Sequence, residues 1–400
     1  MKPIYLDNHA TTPMDPRVLD VMLPFFTEHF GNASSGKHSY GWDAKEAVDQ
    51  ARALVASSIG SMAKEVVFTS GATESNNLAI LGAVRAHREK TGRKGKVISA
   101  LTEHSAVFDA CKVLEKEGHN VVLIAPGEDG IVSPERLAEH LDDDTCLVSL
   151  MAVNNEVGVI HPIAGLAALC NEHGVLFHTD ATQALGRICV DVETWQVDLL
   201  SITGHKIYGP KGCGALFVRR KPKVQLAPLS FGGRQERGLR SGTLNVPGIV
   251  GLGKAAELAK ADLDVDNHKI SAMRDVLWQE VSSLPGVHFN GHRELRVCGN
   301  LNLFLEGIDA DKLLLKIHKE VACSAGSACS SKNPSPSHVL RGLNLGNDRA
   351  RSSIRLGIGR MNTHNEVNRA AKILKKTIQE MRDGGQHASQ EYQIGEDCEL

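Results

Sequence analysis

Lysine 206 stands in the stretch Ser201-Ile202-Thr203-Gly204-His205-Lys206-Ile207-Tyr208-Gly209-Pro210-Lys211-Gly212. The run before it, Val197-Asp198-Leu199-Leu200-Ser201-Ile202, reads as a buried strand, so the lysine comes at a strand end beside a hydroxyl, an imidazole and glycines. An amine that is partly desolvated and fixed in place can form an imine, and polar neighbours at a strand end can hold a phosphate. Together these are the needs of a Schiff-base lysine for pyridoxal phosphate. A lone lysine after a strand is more often an ordinary surface residue, so the reading depends on what the rest of the chain supplies.

The other parts are present. Ser70-Gly71-Ala72-Thr73-Glu74-Ser75 follows a strand pattern and opens a helix. Backbone amides at such a start, with the Thr73 hydroxyl, make a phosphate cradle, although a plain helix cap with Glu74 as its capping glutamate accounts for the same residues. Asp180 ends Val175-Leu176-Phe177-His178-Thr179, where a carboxylate could keep a pyridine nitrogen protonated or simply cap a helix. His104 follows Leu101-Thr102-Glu103; its ring could stack on a cofactor or move protons, or be a hydrogen-bonded core histidine. Asn155 and Gln183 could hydrogen-bond cofactor or substrate. Each signal is weak alone, but their order on consecutive strand ends is a strong one.

The elements that must position these residues alternate. Candidate strands are Glu65–Thr69, Lys96–Ala100, Val121–Ala125, Thr145–Ala152, Val175–Thr179, Asp198–Thr203 and Gly214–Val218. Helical spacing lies between them, in Ser75–Lys90, Ser105–Glu117, Pro134–Leu141 and Ile163–His173. The pattern predicts an α/β fold with a largely parallel sheet, whose ligands sit at the carboxyl ends of the strands. Beyond Gly248, Ile249–Lys260 and His268–Leu284 read as long amphipathic helices leading into a smaller α+β region. The expected division is an N-terminal arm (1–15) joining the small domain, a large cofactor domain (16–258), a small domain (259–381) and a polar, frayed tail (382–400). The small, polar, proline-broken loop Gly326–Pro336 carries Cys329 and is expected to be mobile.

Composition narrows the function. Lys plus Arg number 45 against 47 Asp plus Glu, a balance that gives no support for nucleic acid or anionic membrane as the main partner. No run approaches the length of a membrane span and the first residues show no signal-peptide core, so the expected location is cytoplasmic. Nine cysteines at irregular spacing are expected to be mostly free thiols, and Cys323 and Cys329, six apart, do not match a structural zinc spacing; no metal site is expected.

The chain resembles the cysteine desulfurases of the NifS/IscS type, pyridoxal-phosphate enzymes of the class-V aminotransferase group. The resemblance runs from Tyr5-Leu6-Asp7-Asn8-His9-Ala10-Thr11-Thr12-Pro13 to about Arg360. It includes the stretches around Gly71, His104, Asn155, Asp180 and Lys206, then Glu236-Arg237-Gly238-Leu239-Arg240-Ser241-Gly242-Thr243, Gly326-Ser327-Ala328-Cys329 and Ser352-Ser353-Ile354-Arg355. It implies a fold-type I, aspartate aminotransferase-like architecture with a seven-stranded sheet in the large domain. It makes Lys206 the Schiff-base lysine, Asp180 the partner of the pyridine nitrogen and Gln183 that of the ring hydroxyl. His104 would stack on the ring and act as acid or base. Gly71, Ala72, Thr73, Thr203 and His205 would hold the phosphate, with Thr243 reaching it from the other subunit of a homodimer. Asn155 and Arg355 would take the substrate carboxylate, Arg355 by its bidentate fork.

The implied reaction removes sulfur from L-cysteine, leaving L-alanine and a persulfide on Cys329. Lys206 would serve as the base at Cα, and Cys329 would attack the substrate sulfur as a thiolate, with His104 as a nearby base. The segment Ser330–Asp348 resembles the branch with an extended catalytic loop (about 326–348), implying direct transfer to an acceptor protein such as an iron–sulfur scaffold or a tRNA-thiolation protein. Cys323 is an extra thiol that could resolve a persulfide or be a buried small residue, and the latter is favoured. The alternative activities are a selenocysteine lyase and a β-eliminating C–S lyase.

Overall fold

The computed structural model describes residues 2–325 and 337–396, with side chains as far as Asp383. Chain contacts divide it into two units: Thr11–Asn155 with Val159–Asp264, and Met1–Ala10 with Glu156–Gly158 and Val265–Leu400.

The first unit is built on a seven-stranded sheet. Across it the strands run Val66–Thr69, Gly214–Val218, Leu199–Thr203, Leu176–Asp180, Thr145–Ser149, Lys96–Ala100 and Asn120–Ile124. Only Gly214–Val218 opposes the rest, being antiparallel to both of its neighbours. The other pairings are parallel. Strands buried on both faces need near-continuous apolar runs, and Val66–Thr69, Leu199–Thr203 and Gly214–Val218 are buried at every residue. Leu78, Ile80, Leu81 and Val84 of the helix Ala72–Thr91 cluster with Val67, Leu147, Leu199 and Leu216 of the sheet. Each such side chain contributes about 1.5–3 kcal/mol on burial, so the helix start is held firmly against the strand ends.

The reversed strand departs from simple strand–helix alternation. After Thr203 the chain makes a single tight helical turn, Gly204–Lys206, and comes back antiparallel. A parallel return needs a dozen or more residues and usually a helix. The ten residues Gly204–Cys213 include Pro210, which has no backbone N–H, and they provide neither.

Residues 11–15 belong with this unit rather than with the smaller one. The Thr12 N–H and hydroxyl both donate to His205 O at 3.0 Å, the Thr12 hydroxyl accepts Tyr208 N–H at 2.9 Å, and Asp15 N–H donates to Tyr208 O at 2.9 Å. The N-terminal segment thus clips the turn that carries Lys206.

The second unit has a three-stranded antiparallel sheet ordered Ser353–Gly357, Asn300–Leu305, Val287–Phe289, and a parallel pair Ile4–Tyr5 with Val321–Ala322. Leu301, Leu303, Ile354 and Leu356 pack with Leu277, Leu313, Leu374 and Ile378 from helices in its core. Glu156–Gly158 joins it because Asn300 and Asn302 donate to Glu156 O at 3.0 and 3.2 Å and Val297 N–H donates to Gly158 O at 3.0 Å.

The backbone of the last helix, His364–Glu396, continues past residue 381. Arg382 fastens that passage, donating to Pro285 O at 2.6 Å and Glu306 O at 3.0 Å. No helix among the described residues is long and apolar enough to cross a membrane.

Candidate active site

Five of the parallel strands end along one edge of the large sheet, and the residues singled out in the sequence follow those ends. Gly71 comes after Thr69, Lys206 after Thr203, Asp180 ends its own strand, and His104 and Asn155 come soon after Ala100 and Ser149.

Gly71 begins the helix Ala72–Thr91 with φ +147°, a backbone that favours glycine, and no side chain caps the helix there. A Cβ on Gly71 would lie 3.6 Å from Thr203 Oγ1. One on Gly214 would fall 2.6 Å from Ile202 O and 2.7 Å from Gly71 Cα, so the approach of the two segments requires that residue to be glycine. The result is an uncapped helix start beside the Thr203 hydroxyl, with Thr73 exposed in its first turn. Such a start attracts an anion. Glu74 does not cap Gly71 but reaches past it: its Oε2 accepts Ser70 N–H at 2.7 Å and its Oε1 accepts Arg240 Nε at 2.9 Å. Partial burial works against its charge, yet the Ser70 and Arg240 donors hold the Glu74 carboxyl below its ordinary range.

Asp180 is buried and its two oxygens are each taken. Asn76 Nδ2 donates to Oδ2 at 2.7 Å and Thr182 N–H to Oδ1 at 2.9 Å, which fix the orientation of the carboxyl group. Glu103 is a second buried carboxyl and differs sharply. Burial drives its pKa well above the ordinary value, and the charge of Asp180 pushes the same way, against one N–H from Met151 at 2.7 Å. Of the two carboxyls, Glu103 is therefore the one set to stay protonated.

His205 accepts no charge readily: burial, then Lys206 and Lys211, push its pKa down to about 4. Its Nδ1 lies 3.1 Å from Thr11 Oγ1. Around a phosphate it is a neutral hydrogen-bonding group rather than a cation. Lys206 is half-buried, and its carbonyl accepts Arg187 Nη2 at 3.4 Å. Gln183 is buried and Asn155 half-buried.

His104 caps the helix Ser105–Lys116, its Nδ1 accepting Ala106 N–H at 3.1 Å. A neutral ring bound in this way carries its proton on Nε2.

Thr243 is exposed on a segment pinned at its base. The Glu236 carboxylate accepts both Nη atoms of Arg52 at 2.7 Å and Phe68 N–H at 2.8 Å. No sequence signal marks that pair, because its members are 184 residues apart.

In the second unit, Arg355 is buried and its Nη2 donates to Asp7 Oδ1 at 2.8 Å. Cys323 lies close by, its thiol pushed up to about 12 by burial and by Asp7, in accord with a packed, unreactive residue. Cys329 lies outside the described residues. No group of side chains that could hold a metal ion occurs among the described residues.

The donor set fits pyridoxal phosphate: an anion cradle, a carboxyl group fixed by two donors, and a lysine between them on the same edge. Sheet and site together are those of an α/β enzyme with its candidate residues along one edge of a mostly parallel sheet. The chain belongs to the class-V aminotransferase family, whose model matches residues 4–370. Within it the chain is a NifS/IscS-like member. It is 49% identical to the cysteine desulfurase IscS of Shewanella amazonensis, over 95% of this chain and 94% of that one. Among solved structures, a NifS-like protein superposes with a TM-score of 0.87 at 34% identity, covering 95% of this chain and 100% of the other. SspA, solved in complex with cysteine, superposes with a TM-score of 0.79 at 35% identity, covering 91% and 100%.

Proposed function

We propose that this protein is a pyridoxal-phosphate-dependent cysteine desulfurase that takes sulfur from L-cysteine, releases L-alanine and holds the sulfur as a persulfide on Cys329. The observation that carries the reading is the single sheet edge on which the Gly71 cradle, Thr203, Asp180 and the Lys206 turn follow one another, in a chain about half identical to a named cysteine desulfurase.

Gly71, Ala72 and Thr73, with Thr203 and His205, would hold the phosphate; Gln183 would meet the ring hydroxyl. When bound, the cofactor supplies an electron sink for the substrate carbon. Asp180 would pair with the pyridine nitrogen. His104, fixed by its cap, covers the ring and donates from Nε2. The Lys206 amine removes the Cα proton. Asn155 and Arg355 bind the substrate carboxylate. The Cys329 thiolate attacks the substrate sulfur: an S–S bond forms, the C–S bond breaks, and its electron pair stays on the substrate carbon, which is protonated to give alanine. Burial pushes the thiols of Cys111, Cys170, Cys213 and Cys323 up to about 12, which leaves those four unsuited to this step.

The proposal includes a homodimer, with Thr243 reaching the partner's phosphate. It is supported by the exposed aromatics Phe26, Phe30, Tyr40 and Trp42 in one short stretch of a chain with few aromatics. It also includes a large cofactor domain, a small domain carrying the Cys329 loop, transfer to an acceptor protein serving iron–sulfur cluster or tRNA-thiolation chemistry, and a reducing, cytoplasmic location. The seven free cysteines among the described residues suit that compartment.

Product analysis after incubating the cofactor-loaded protein with L-cysteine and a thiol tests the reading. Alanine with matching sulfide supports it; pyruvate and ammonia mean β-elimination and overturn it. Cys329→Ser should keep the cofactor absorbance and lose sulfide release from cysteine. Undiminished turnover of cysteine in that variant removes Cys329 from the mechanism, and selenocysteine turnover that outlasts cysteine turnover marks a selenocysteine lyase.

A further inference from the structure

Arg355 is only 2% exposed, and a guanidinium so deeply buried needs a counter-charge and a fixed plane to act as a carboxylate fork. Asp7 supplies the charge: Arg355 Nη2 donates to its Oδ1 at 2.8 Å. The same oxygen accepts the Ser324 hydroxyl at 3.2 Å. Ser324 and Arg355 are also joined by backbone bonds, Arg355 N–H to Ser324 O at 2.6 Å and Ser324 N–H to Arg355 O at 3.3 Å. Asp7 is itself held in place, because its own backbone bridges to Gly357, with Gly357 N–H donating to Leu6 O at 2.7 Å and Asn8 N–H to Gly357 O at 3.2 Å. One carboxylate oxygen thus joins the N-terminal segment, the arginine and the residue five positions before Cys329.

We infer that Asp7 is a positioning residue for the substrate: it sets the guanidinium plane of Arg355 so that the arginine meets a substrate carboxylate already oriented. This rests on the assignment of Arg355 to the substrate carboxylate made above. Two simpler roles for Asp7 make different predictions. A competing anion would weaken carboxylate binding, so that its removal would tighten it. A purely structural counter-ion would affect ligands with and without a carboxylate alike.

The holoenzyme is titrated with L-alanine, which has an amine and a carboxylate, and with ethylamine, which has only the amine; cofactor absorbance reports binding. Asp7→Ala should weaken L-alanine by about tenfold or more, the scale of one charge-assisted hydrogen bond, and leave ethylamine within about twofold. Asp7→Asn, which keeps an oxygen acceptor, should recover much of the loss and protects the test against an Asp7→Ala chain that fails to fold. Equal weakening of both ligands, or tighter L-alanine binding, overturns the inference. Arg355→Lys, which keeps the charge without the fork, should remove the preference for L-alanine over ethylamine. If it does not, the assignment of Arg355 itself has failed; if it does while both Asp7 variants behave as wild type, only the role of Asp7 has failed.

Discussion

Asn76 Nδ2 donates to Asp180 Oδ2 at 2.7 Å, so the helix that opens at the Gly71 cradle also orients the carboxylate three strands away in the sheet. One rigid element therefore sets both ends of the proposed cofactor. Asn76→Ala should leave the fold intact but free one carboxylate oxygen. Cofactor affinity is expected to fall by about tenfold, the scale of one hydrogen bond to a charged group, as measured by absorbance titration of the apoprotein with pyridoxal phosphate.

Gly214 is the point where the reversed strand meets the cradle. Gly214→Ala places a methyl group against two backbone positions that cannot swing aside. A destabilisation of about 1–3 kcal/mol is expected in urea unfolding, together with weaker cofactor retention as Gly71 is displaced. Normal retention in a destabilised variant would detach the strand reversal from the cradle.

The Arg52–Glu236 pair is buried, with the two side chains 12% and 1% exposed. Removing one member leaves a buried charge without its counter-ion, so Glu236→Ala should cost roughly 3–5 kcal/mol in chemical denaturation. Glu236 also holds the segment leading to Thr243. If the proposed homodimer forms through that segment, the same variant should lose dimeric mass in light scattering at protein concentrations where wild type keeps it.

His161 is fully buried, and burial pushes its pKa down to about 4 from an ordinary 6.5, with only a weak opposing pull from Asp129. Between those values the unfolded chain binds a proton that the folded chain refuses, so stability rises with pH across the window and is lost on acidification from pH 6.5 towards pH 4. His178 and His205 act in the same direction, and Glu103 in the opposite one. The readout for His161 is accordingly a slope. In His161→Gln the pH dependence of unfolding free energy in this window should flatten by up to one proton, about 1.4 kcal/mol per pH unit. An unchanged slope would mean that His161 does not titrate between the two states.

Much of the large sheet was legible because its strands are local signals. Lys96–Ala100 and Gly214–Val218 are short apolar runs with clear ends, and both form strands with those bounds. The edge holding Gly71, Asp180 and Lys206 could be read because each follows such a run. The direction of Gly214–Val218 could not, since a strand's composition does not encode its polarity and the return depended on what Gly204–Cys213 could not form. Nor could the transfer of Glu156–Gly158 to the other unit, which rests on Asn300 and Asn302 some 144 and 146 residues away. His178 shows the same limit. Its ring bridges Ser149 Oγ at 2.8 Å and Ser201 Oγ at 3.0 Å, a buried link between neighbouring strands that appears only once the sheet is assembled.

The Thr12 and Asp15 bonds to His205 and Tyr208 leave the backbone around Lys206 fastened on both sides. What can move is the four-carbon side chain. An amine tethered in this way behaves as a reagent of very high local concentration: when released from one carbon it stays within a few bond rotations of the next. Its reactivity is then governed by torsions and protonation, with no entropy of encounter to overcome.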